Sequence, residues 1–545
     1  MKKDSPVFWA DQIADKAIKR AKREGNIVTC RSAASPSGGK HIGNLFDVIK
    51  SHIVHRSVEK NGFDSRFLIT NDDRDPLRKI PDKLPGLDAK WMEVDDDFRK
   101  EYKQYLGLPY TEIPDPFGCC ESWAEHFGTV WVNGIKAMNI DLQVYSNDEL
   151  YKQGKYIPYI KKILENIQKS REVISSFQKT KTMDYIPFTP ICENCGKIIG
   201  EAVNFDLENE TIDYVCKGQT LAGKYEIKGC GHKGTVSFMD GKLPWSFEWP
   251  ANWSIFNTTY EPFGKEHAEG SWPRGKAIMK KIYKEEPPIP HIYEFLLVNG
   301  EKMSASKGNV YIAQEILDIL EPEIFYYFYT KKSKKQRNLD LKNIHRLVDE
   351  FEKSERVYFG KKEVGNEKQK ENMIRMYESC FKKVPEKMPL RVPYQFAGII
   401  ASMYPKESTK KAVELLKSTG HIQSDKLSDK QLKQVEKRLW RAKTWVERFA
   451  PEQKITVNEN PPKDLDLNDD LKNIIKELKD VLSKDVTEEE LNSTFFDLCR
   501  ENDVKPKQFF KTMYKIIFSK DHGPRLAPFI LTIGKDKVRE LLERV

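Results

Sequence analysis

The amino-terminal part of the chain alternates apolar runs and helical periodicity in the pattern of a β-α-β unit. An apolar run at Ile27 to Cys30 predicts a strand, the periodicity from Leu45 to Lys60 predicts a helix, and Arg66 to Thr70 predicts a second strand. An acidic segment, Asn71 to Pro76, follows that strand. Because ligands bind at the carboxyl ends of parallel strands, this segment is expected to face the same site as the loop after the first strand.

The pattern changes twice further along the chain. Between about residues 110 and 240, periodicity is weak and Cys, His, Gly and aromatic residues accumulate, which is typical of an insertion organised by metal. The α/β pattern returns near Trp245 and includes a strand at Phe295 to Val298. Beyond about residue 340 helices dominate. The clearest stops at Pro451 and carries the apolar stripe Leu432, Val435, Leu439, Ala442, Val446 and Phe449. We therefore predict an α/β protein with a parallel sheet, an insertion and an all-α carboxyl-terminal region.

Composition limits the classes of protein that fit. A chain of 545 residues is long enough for about three or four domains. With 32% charged residues and a formal net charge of +9, its surface favours polyanions such as nucleic acid. There is no run of about 18 apolar residues and no signal-peptide pattern, so a cytoplasmic protein without membrane contact is expected. In that compartment the nine cysteines are expected to bind metal or be buried rather than form disulfides.

The loop after the first predicted strand, Ser35 to Asn44, has the composition of a phosphate-binding turn. Proline and glycine allow a sharp turn, Gly43 lets a ligand approach the main chain, and the following helix begins with free N–H groups. His41 and Asn44 can donate hydrogen bonds to phosphate oxygens and are the expected catalytic donors. The residues expected to surround the nucleotide are Ser35, Pro36, Ser37, Gly38 and Gly43.

A second loop, Glu301 to Asn309, supplies cationic and hydroxyl side chains. A loop of this kind stabilises a departing pyrophosphate through its charge. The expected catalytic residues are Lys302, Ser304 and Lys307, with Met303 and Ser306 beside the nucleotide. Together the two loops predict a phosphate-binding site on a nucleotide-binding fold that is interrupted by the insertion.

Four cysteines in the insertion have the spacing of a zinc site. Two residues separate Cys192 from Cys195, so both thiolates can reach one ion, and Cys216 and Cys230 can complete a tetrahedron. His232 is the substitute if one thiolate is not a ligand. The competing interpretation is a set of unrelated buried cysteines, which the glycine-rich turns beside them disfavour.

A second candidate cluster combines Asp115, Cys119, Cys120 and His126. Mixed oxygen, sulfur and nitrogen ligands suit zinc, and the four residues lie in one short segment. Adjacent cysteines are, however, awkward as two ligands of one ion. The residues alone leave two interpretations open, a second zinc site or unrelated side chains.

The two loops resemble the HIGH and KMSKS signatures of class I aminoacyl-tRNA synthetases, and nearly the whole chain resembles the class I lysyl-tRNA synthetase family. The order of the motifs carries this resemblance. They are Ser35 to Asn44, Asp72 to Lys79, Pro114 to Cys119, the four cysteines, Trp249-Pro250, Glu261 to His267, Lys302 to Asn309 and Gly523 to Phe529.

The resemblance implies a domain order. A Rossmann-type catalytic domain would occupy 1–110 and 245–312, with a zinc-binding insertion at 111–244. A stem-contact fold would follow at 313–400, and an α-helical anticodon-binding domain at 401–545. The family also carries zinc at the Asp115 cluster, but this chain has Cys120 where histidine is usual. Ala305 replaces the second lysine of the KMSKS signature, so Lys302 and Lys307 would have to supply the charge.

The implied reaction is the activation of lysine with ATP and Mg²⁺. Its carboxylate would attack the α-phosphate of ATP without a protein nucleophile, and the lysyl group would then pass to the terminal ribose of tRNA(Lys). Asp72 and Asp73 are expected to hold an amine of the substrate. Trp249, His267 and Tyr293 are expected to surround its side chain. The competing interpretation is that the aspartates only cap the chain and pair with neighbouring arginines.

Two other functions fit the sequence. One is a class I synthetase for another amino acid, or a smaller nucleotidyltransferase, although the long helical region disfavours the latter. The other is a non-catalytic zinc-containing RNA-binding protein, which His41, Lys302 and Lys307 disfavour. A monomer is expected.

Overall fold

The computed structural model describes residues 6–177, 184–221, 225–303, 309–331, 335–404, 409–418, 420–422, 424, 426–454, 457–523 and 525–545. These residues form two compact units whose segments alternate along the chain. Unit 1 consists of Met1–Leu317, Pro322–Leu341 and Glu350–Glu386, and unit 2 of Asp318–Glu321, Lys342–Asp349 and Lys387–Val545.

The strands of the described residues all lie in unit 1. In chain order they are β1 (Val28–Ala34), β2 (Ser65–Asn71), β3 (Lys83–Pro85), β4 (Trp91–Glu93), β5 (Gln143–Ser146), β6 (Thr189–Pro190), β7 (Glu201–Asp206), β8 (Thr211–Val215), β9 (Gly218–Leu221), β10 (Tyr225–Lys228), β11 (Lys233–Ser237), β12 (Gly241–Lys242), β13 (Tyr260–Gly264), β14 (Ile289–Tyr293), β15 (Leu296–Val298), β16 (Glu301–Lys302) and β17 (Arg337–Leu339).

The α-helices occur in both units. In chain order they are α1 (Trp9–Glu24), α2 (Leu45–Lys60), α3 (Asp96–Tyr102), α4 (Trp123–Lys136), α5 (Asn147–Lys152), α6 (Ile157–Glu165), α7 (Ile167–Ser175), α8 (Trp245–Ile255), α9 (Ser271–Ile278), α10 (Ala313–Leu317), α11 (Pro322–Thr330), α12 (His345–Tyr358), α13 (Glu367–Ser379), α14 (Tyr394–Met403), α15 (Thr409–Ser418), α16 (Asp429–Phe449), α17 (Asp469–Leu482), α18 (Glu488–Glu501), α19 (Pro506–Phe518), α20 (Leu526–Ile533) and α21 (Lys535–Glu543).

A five-stranded parallel sheet positions the site in unit 1. Its strand order is β14-β13-β1-β2-β5, and Cys30 of β1 lies opposite Phe67 of β2 and Tyr260 of β13. The chain winds in one direction from β1 through β2 to β5 and in the other through β13 to β14. Ligands bind beside such a reversal, at the carboxyl ends of the strands. The predicted Rossmann-type core is confirmed.

The local sequence explains the central elements. β1 is buried over most of its length, as a strand covered on both faces should be. α2 has the bounds predicted from its periodicity and packs against α1, α11 and strands β1 and β13. The cysteine-rich part of the insertion forms small antiparallel pairings, with the strand orders β11-β8-β7, β10-β9 and β12-β6.

The regular elements among the described residues of unit 2 are all helices. α16 carries the predicted apolar stripe, packs against α14, and begins with a capping box between Ser428 and Gln431. Inside this unit Arg438 donates to Glu321 at 2.9 Å, and both side chains are buried. The predicted five-part division stays a prediction, and its segment 313–400 contributes to both units. Among the described helices, none is long and apolar enough to cross a membrane.

Candidate functional site

A cavity of about 1400 Å³ opens at the carboxyl edge of the parallel sheet, within unit 1. The predicted site residues in its wall are Ser35, His41, Gly43, Asn44, Asp72, Trp249, His267, Tyr293, Lys302 and Met303. Among the described wall residues Pro36, Ser37, Gly38 and Asp73 do not appear. The acidic segment after β2 and the loop that carries His41 therefore face one site, as the strand pattern predicts.

His41 is positioned by its own loop. Its Nδ1 accepts a hydrogen bond from the Gly43 N–H at 3.1 Å, where the short 3-10 helix Ile42–Asn44 begins. Since Nδ1 accepts, the neutral ring carries its proton on Nε2. Burial, together with nearby Lys40, lowers the pKa of His41 to about 4. At neutral pH the ring therefore offers an N–H donor without a positive charge.

Gly43 lies where the two predicted loops meet. A Cβ atom on Gly43 would lie 2.8 Å from Cε1 of His41 and 3.2 Å from Cε of Met303, so a side chain there would displace one of them. The N–H of Ile42 also donates to the carbonyl of Tyr311 at 2.9 Å. Two segments far apart in sequence thus form one end of the cavity.

Lys302 is an exposed residue of the cavity wall. Its Nζ lies 4.2 Å from the centre of the Phe295 ring, a cation–π contact. Ser304, Ser306 and Lys307 lie outside the described residues, so their roles remain predictions.

The turn after β1 is held by backbone contacts. The N–H of Ser37 donates to the carbonyl of Ser35 at 2.8 Å, and the Pro36 carbonyl accepts from Nε1 of Trp123 at 2.8 Å. Gly38 has a φ of 126°, a conformation that favours glycine. These residues shape the loop that presents His41.

The two aspartates predicted to bind an amine differ in position. Asp72 lines the cavity, and its Oδ1 accepts a hydrogen bond from the Asn147 amide at 2.7 Å. The Asp73 carboxylate instead accepts the N–H of Asp148 at 2.9 Å, in the first turn of α5. Arg74 pairs with Asp148 at 2.7 Å and not with an adjacent aspartate. Asp72 is the one positioned to meet a ligand.

A buried ion pair, Arg31–Glu261, fixes the position of the aromatic residue Trp249, which lies beside His267 in the cavity wall. The ring of Trp249 lies 5.5 Å from that of His267, and its Nε1 donates to Glu261 at 2.7 Å. Arg31 of β1 donates to both oxygens of Glu261 at 2.8 Å. The sequence patterns do not identify this pair. Its one local signal is Arg31, a charge in a strand that is otherwise mostly apolar.

Asp47 is a further cavity residue that the sequence patterns miss. It follows Asn44 by one turn at the start of α2, and the hydroxyl of Tyr293 donates to its Oδ1 at 2.6 Å. Burial raises the pKa of Asp47 to about 8, despite that hydrogen bond. The pair offers a carboxyl and a phenol group to a cationic ligand.

A largely buried charge cluster, which the sequence patterns also miss, adds to the acidic end of the cavity. Nζ of Lys242 lies 3.1 Å from a carboxylate oxygen of Asp75 and also contacts Glu248, which accepts the Tyr151 hydroxyl at 2.9 Å. Burial raises the pKa of Asp72 well above its ordinary value, and Asp75 and Glu248 raise it further, while Lys242 opposes them.

The four insertion cysteines form one cluster. Their Sγ atoms all lie within 4.8 Å of one another, with 3.6 Å between Cys192 and Cys230 and 3.8 Å between Cys195 and Cys216. Tetrahedral zinc with Zn–S bonds of about 2.3 Å needs sulfur separations of about 3.8 Å. The donor set therefore fits zinc, and His232 is not among the clustered ligand atoms.

Asp115, Cys119, Cys120 and His126 also bring their ligand atoms within 4.8 Å of one another. Nε2 of His126 lies 3.0 Å from the Pro85 carbonyl and donates to it, so Nδ1 is the free acceptor, 3.1 Å from Asp115 and 3.3 Å from Cys119. Such a bond to a backbone carbonyl is the usual support of a metal-binding imidazole. The two adjacent thiols lie 3.9 Å apart, so both fit around one ion.

Comparisons with known proteins cover nearly the whole chain. Residues 7–382 match the family model described as tRNA synthetases class I (K), and residues 408–545 match that of an anticodon binding domain. The chain is 35% identical over 538 residues to the lysine–tRNA ligase of Natronomonas pharaonis, with 98% of this chain and 97% of that protein covered. It is 34% identical to the lysine–tRNA ligase of Methanocaldococcus jannaschii and 32% identical to that of Pyrococcus horikoshii, with 98% of each chain covered.

Proposed function

Because this chain belongs to the class I (K) tRNA synthetase family, we propose that it is an ATP-dependent enzyme that attaches L-lysine to tRNA(Lys). The observation that carries the proposal is the similarity to lysine–tRNA ligases over nearly the whole chain. In the first step the carboxylate of lysine attacks the α-phosphate of ATP and releases pyrophosphate. In the second, the lysyl group moves from the adenylate to the terminal ribose hydroxyl of the tRNA.

Catalysis of the first step depends on position and charge. The Nε2–H of His41 and the amide of Asn44 donate to phosphate oxygens as negative charge develops. Lys302 stabilises the leaving pyrophosphate, with Ser304 and Lys307 as further proposed partners. Mg²⁺ bound to the phosphates of ATP would neutralise part of their charge. The meeting of Gly43 and Met303 in one cavity wall supports these roles.

Two carboxyl groups in the cavity suit the two amines of lysine. We assign the α-ammonium to Asp72, and the ε-ammonium to Asp47 with the Tyr293 hydroxyl. The aliphatic part of the substrate then lies along Trp249 and His267. An ammonium beside Asp47 favours its ionised form, so lysine binding lowers the pKa of that carboxyl.

Zinc is proposed at both clusters as a structural ion. Each cluster offers four protein ligands and so leaves no open position for a substrate, which is the arrangement of structural rather than catalytic zinc. Zinc would hold together the loops of the insertion. We further propose that residues 408–545 bind the anticodon of tRNA(Lys) and that the protein acts in the cytoplasm.

The first test is amino-acid-dependent exchange of pyrophosphate into ATP, measured with each of the twenty amino acids, with and without tRNA. Exchange with lysine alone is the expected result. Exchange with a different amino acid would retain the class of enzyme and refute the lysine assignment. No exchange under either condition would favour the non-catalytic RNA-binding alternative.

A further inference from the structure

Lys242 lies among three acidic side chains at one end of the cavity. Its own side chain is only 7% exposed, and its Nζ lies 3.1 Å from Asp75 and in contact with Glu248. Burial alone would lower the pKa of Lys242, but Asp75, Glu248 and Asp72 outweigh burial and raise it. Arg31 and Lys40 also interact electrostatically with Asp72, but Lys242 is the cation that contacts Asp75 and Glu248.

The three carboxyls are not equivalent. Asp75 and Glu248 each contact Lys242, and Glu248 also accepts the Tyr151 hydroxyl. Asp72 is held by the neutral amide of Asn147 and lines the cavity. A neutral donor fixes the position of a carboxylate without compensating its charge. A cationic ligand in the cavity would thus be attracted to Asp72.

We propose that Lys242 is a positioning residue for the amino-acid substrate: it pairs with Asp75 and Glu248, so that neither carboxylate competes for the α-ammonium of lysine and Asp72 is left to bind it. The inference rests on the proposed function and extends it to a residue that does not touch the substrate. Without this cation, repulsion from Asp75 and Glu248 would favour the protonated form of Asp72 still further and would weaken its contact with an ammonium group. The substrate would then lose its α-ammonium contact while keeping the rest of its site.

The position of Lys242 ties this role to the metal-bearing insertion. Lys242 ends the short strand β12 and lies opposite Thr189 of β6. β6 ends two residues before Cys192, the first ligand of the four-cysteine cluster. The insertion thus supplies a charge to the amino-acid site as well as covering it.

The test compares L-lysine with 6-aminohexanoate, which has the same ε-ammonium and carboxylate but no α-ammonium. Exchange assays on the full chain give KM for lysine and for ATP, and an inhibition constant for 6-aminohexanoate. In Lys242→Met, KM for lysine is expected to rise about tenfold or more, the change that corresponds to one pKa unit. The inhibition constant and KM for ATP are expected to change less than about twofold, because neither ligand uses Asp72 as an ammonium partner.

Two variants complete the test. Lys242→Arg keeps the charge and is expected to restore the preference for lysine over 6-aminohexanoate. Lys382→Met removes an exposed lysine that pairs with Asp141 and is expected to behave like the wild type. If circular dichroism shows that Lys242→Met does not fold, Lys242→Gln, which keeps hydrogen bonding without charge, gives the same comparison.

An equal loss for both ligands, or an unchanged KM for lysine, would overturn the role of Lys242. Absence of lysine-dependent exchange in the wild type would instead overturn the proposed function.

Discussion

His41 and Asp47 lie six positions apart, yet their surroundings move their pKa values in opposite directions. Burial, with Lys40, lowers the pKa of His41 to about 4, and burial raises that of Asp47 to about 8. At neutral pH both side chains are therefore uncharged in the free protein. His41 is ready to donate a hydrogen bond, while Asp47 becomes a charged partner once an ammonium arrives. The segment from His41 to Asp47 can thus bind a phosphate group at one end and an amine at the other.

Gly43→Ala is expected to lower the rate of lysine-dependent exchange on the order of a hundredfold, as the loss of an oxyanion-type donor does. The added Cβ would fall 2.8 Å from Cε1 of His41 and displace the ring from its position. Combining it with His41→Ala is expected to cause little further loss, since both changes remove the same donor. Gly365→Ala is the matched control, because a Cβ at Gly365 meets nothing within 4 Å. Additive losses in the double variant would contradict this account of Gly43.

Asp47 is expected to release a proton when lysine binds at pH 7. Its carboxyl is mostly protonated in the free protein and ionises beside the ammonium. Calorimetry in buffers of different ionisation enthalpy measures this release, which is expected to disappear in Asp47→Asn. KM for lysine is expected to fall as pH rises towards about 8. Lysine binding without proton release would exclude Asp47 as the ammonium partner.

The same carboxyl affects folding stability. Its pKa rises from 3.8 in the unfolded chain to about 8 in the folded one, so between these values the folded state binds more protons. The contribution of Asp47 to the free energy of unfolding therefore decreases as pH rises through that interval. Denaturant titrations measure this contribution. Between pH 5 and 8, the free energy of unfolding is expected to fall less in Asp47→Asn than in the wild type, because the variant lacks this titrating group.

The central elements were accessible from sequence because their signals are local. β1, α2 and β2 appear within a few residues of their predicted bounds, and the four cysteines meet as their spacing predicts. Burial of a parallel strand on both faces leaves a continuous apolar run, and a metal site selects ligand types directly. The ion pairs Arg31–Glu261 and Lys242–Glu248 could not be predicted in this way. The pairing of β1 with β13 brings the first two residues together, and the fold between β12 and α8 brings the second two together, and no local sequence pattern indicates either contact.

The two ligand clusters of the insertion are expected to hold two zinc ions per chain, measured by elemental analysis of the purified protein. Cys195→Ser is expected to lose one equivalent and His126→Ala the other, since each removes one of four ligands. Cys499→Ala removes a buried thiol outside both clusters and is expected to keep both ions. Chelation is expected to lower the melting temperature, because binding free energy of a structural ion is also folding free energy. A wild-type chain without zinc would refute both sites.

Because the whole molecule is positively charged, salt is expected to weaken the binding of tRNA much more than the binding of lysine. The chain carries a formal net charge of +9, and Lys430, Lys433 and Lys437 lie exposed along one side of α16. Raising salt from about 50 to about 200 mM is expected to increase KM for tRNA about tenfold or more, which is the salt dependence of a protein that neutralises about two phosphates. KM for lysine in the exchange reaction is expected to change little. Replacing the three lysines with glutamine should reduce the salt dependence for tRNA, and an unchanged dependence would remove this surface from the tRNA site.

The six alternating segments of the two units mean that the chain passes between the units five times. Glu321, in a four-residue segment of unit 2 enclosed by unit 1 sequence, pairs with Arg438, 117 positions later. A single genetic crossover near residue 387 would exchange the large part of unit 2 and leave its two short segments with their old sequence. After recombination between distant relatives, the buried Glu321 would contact a residue at position 438 that comes from the other parent. The catalytic and helical parts are therefore expected to share one line of descent.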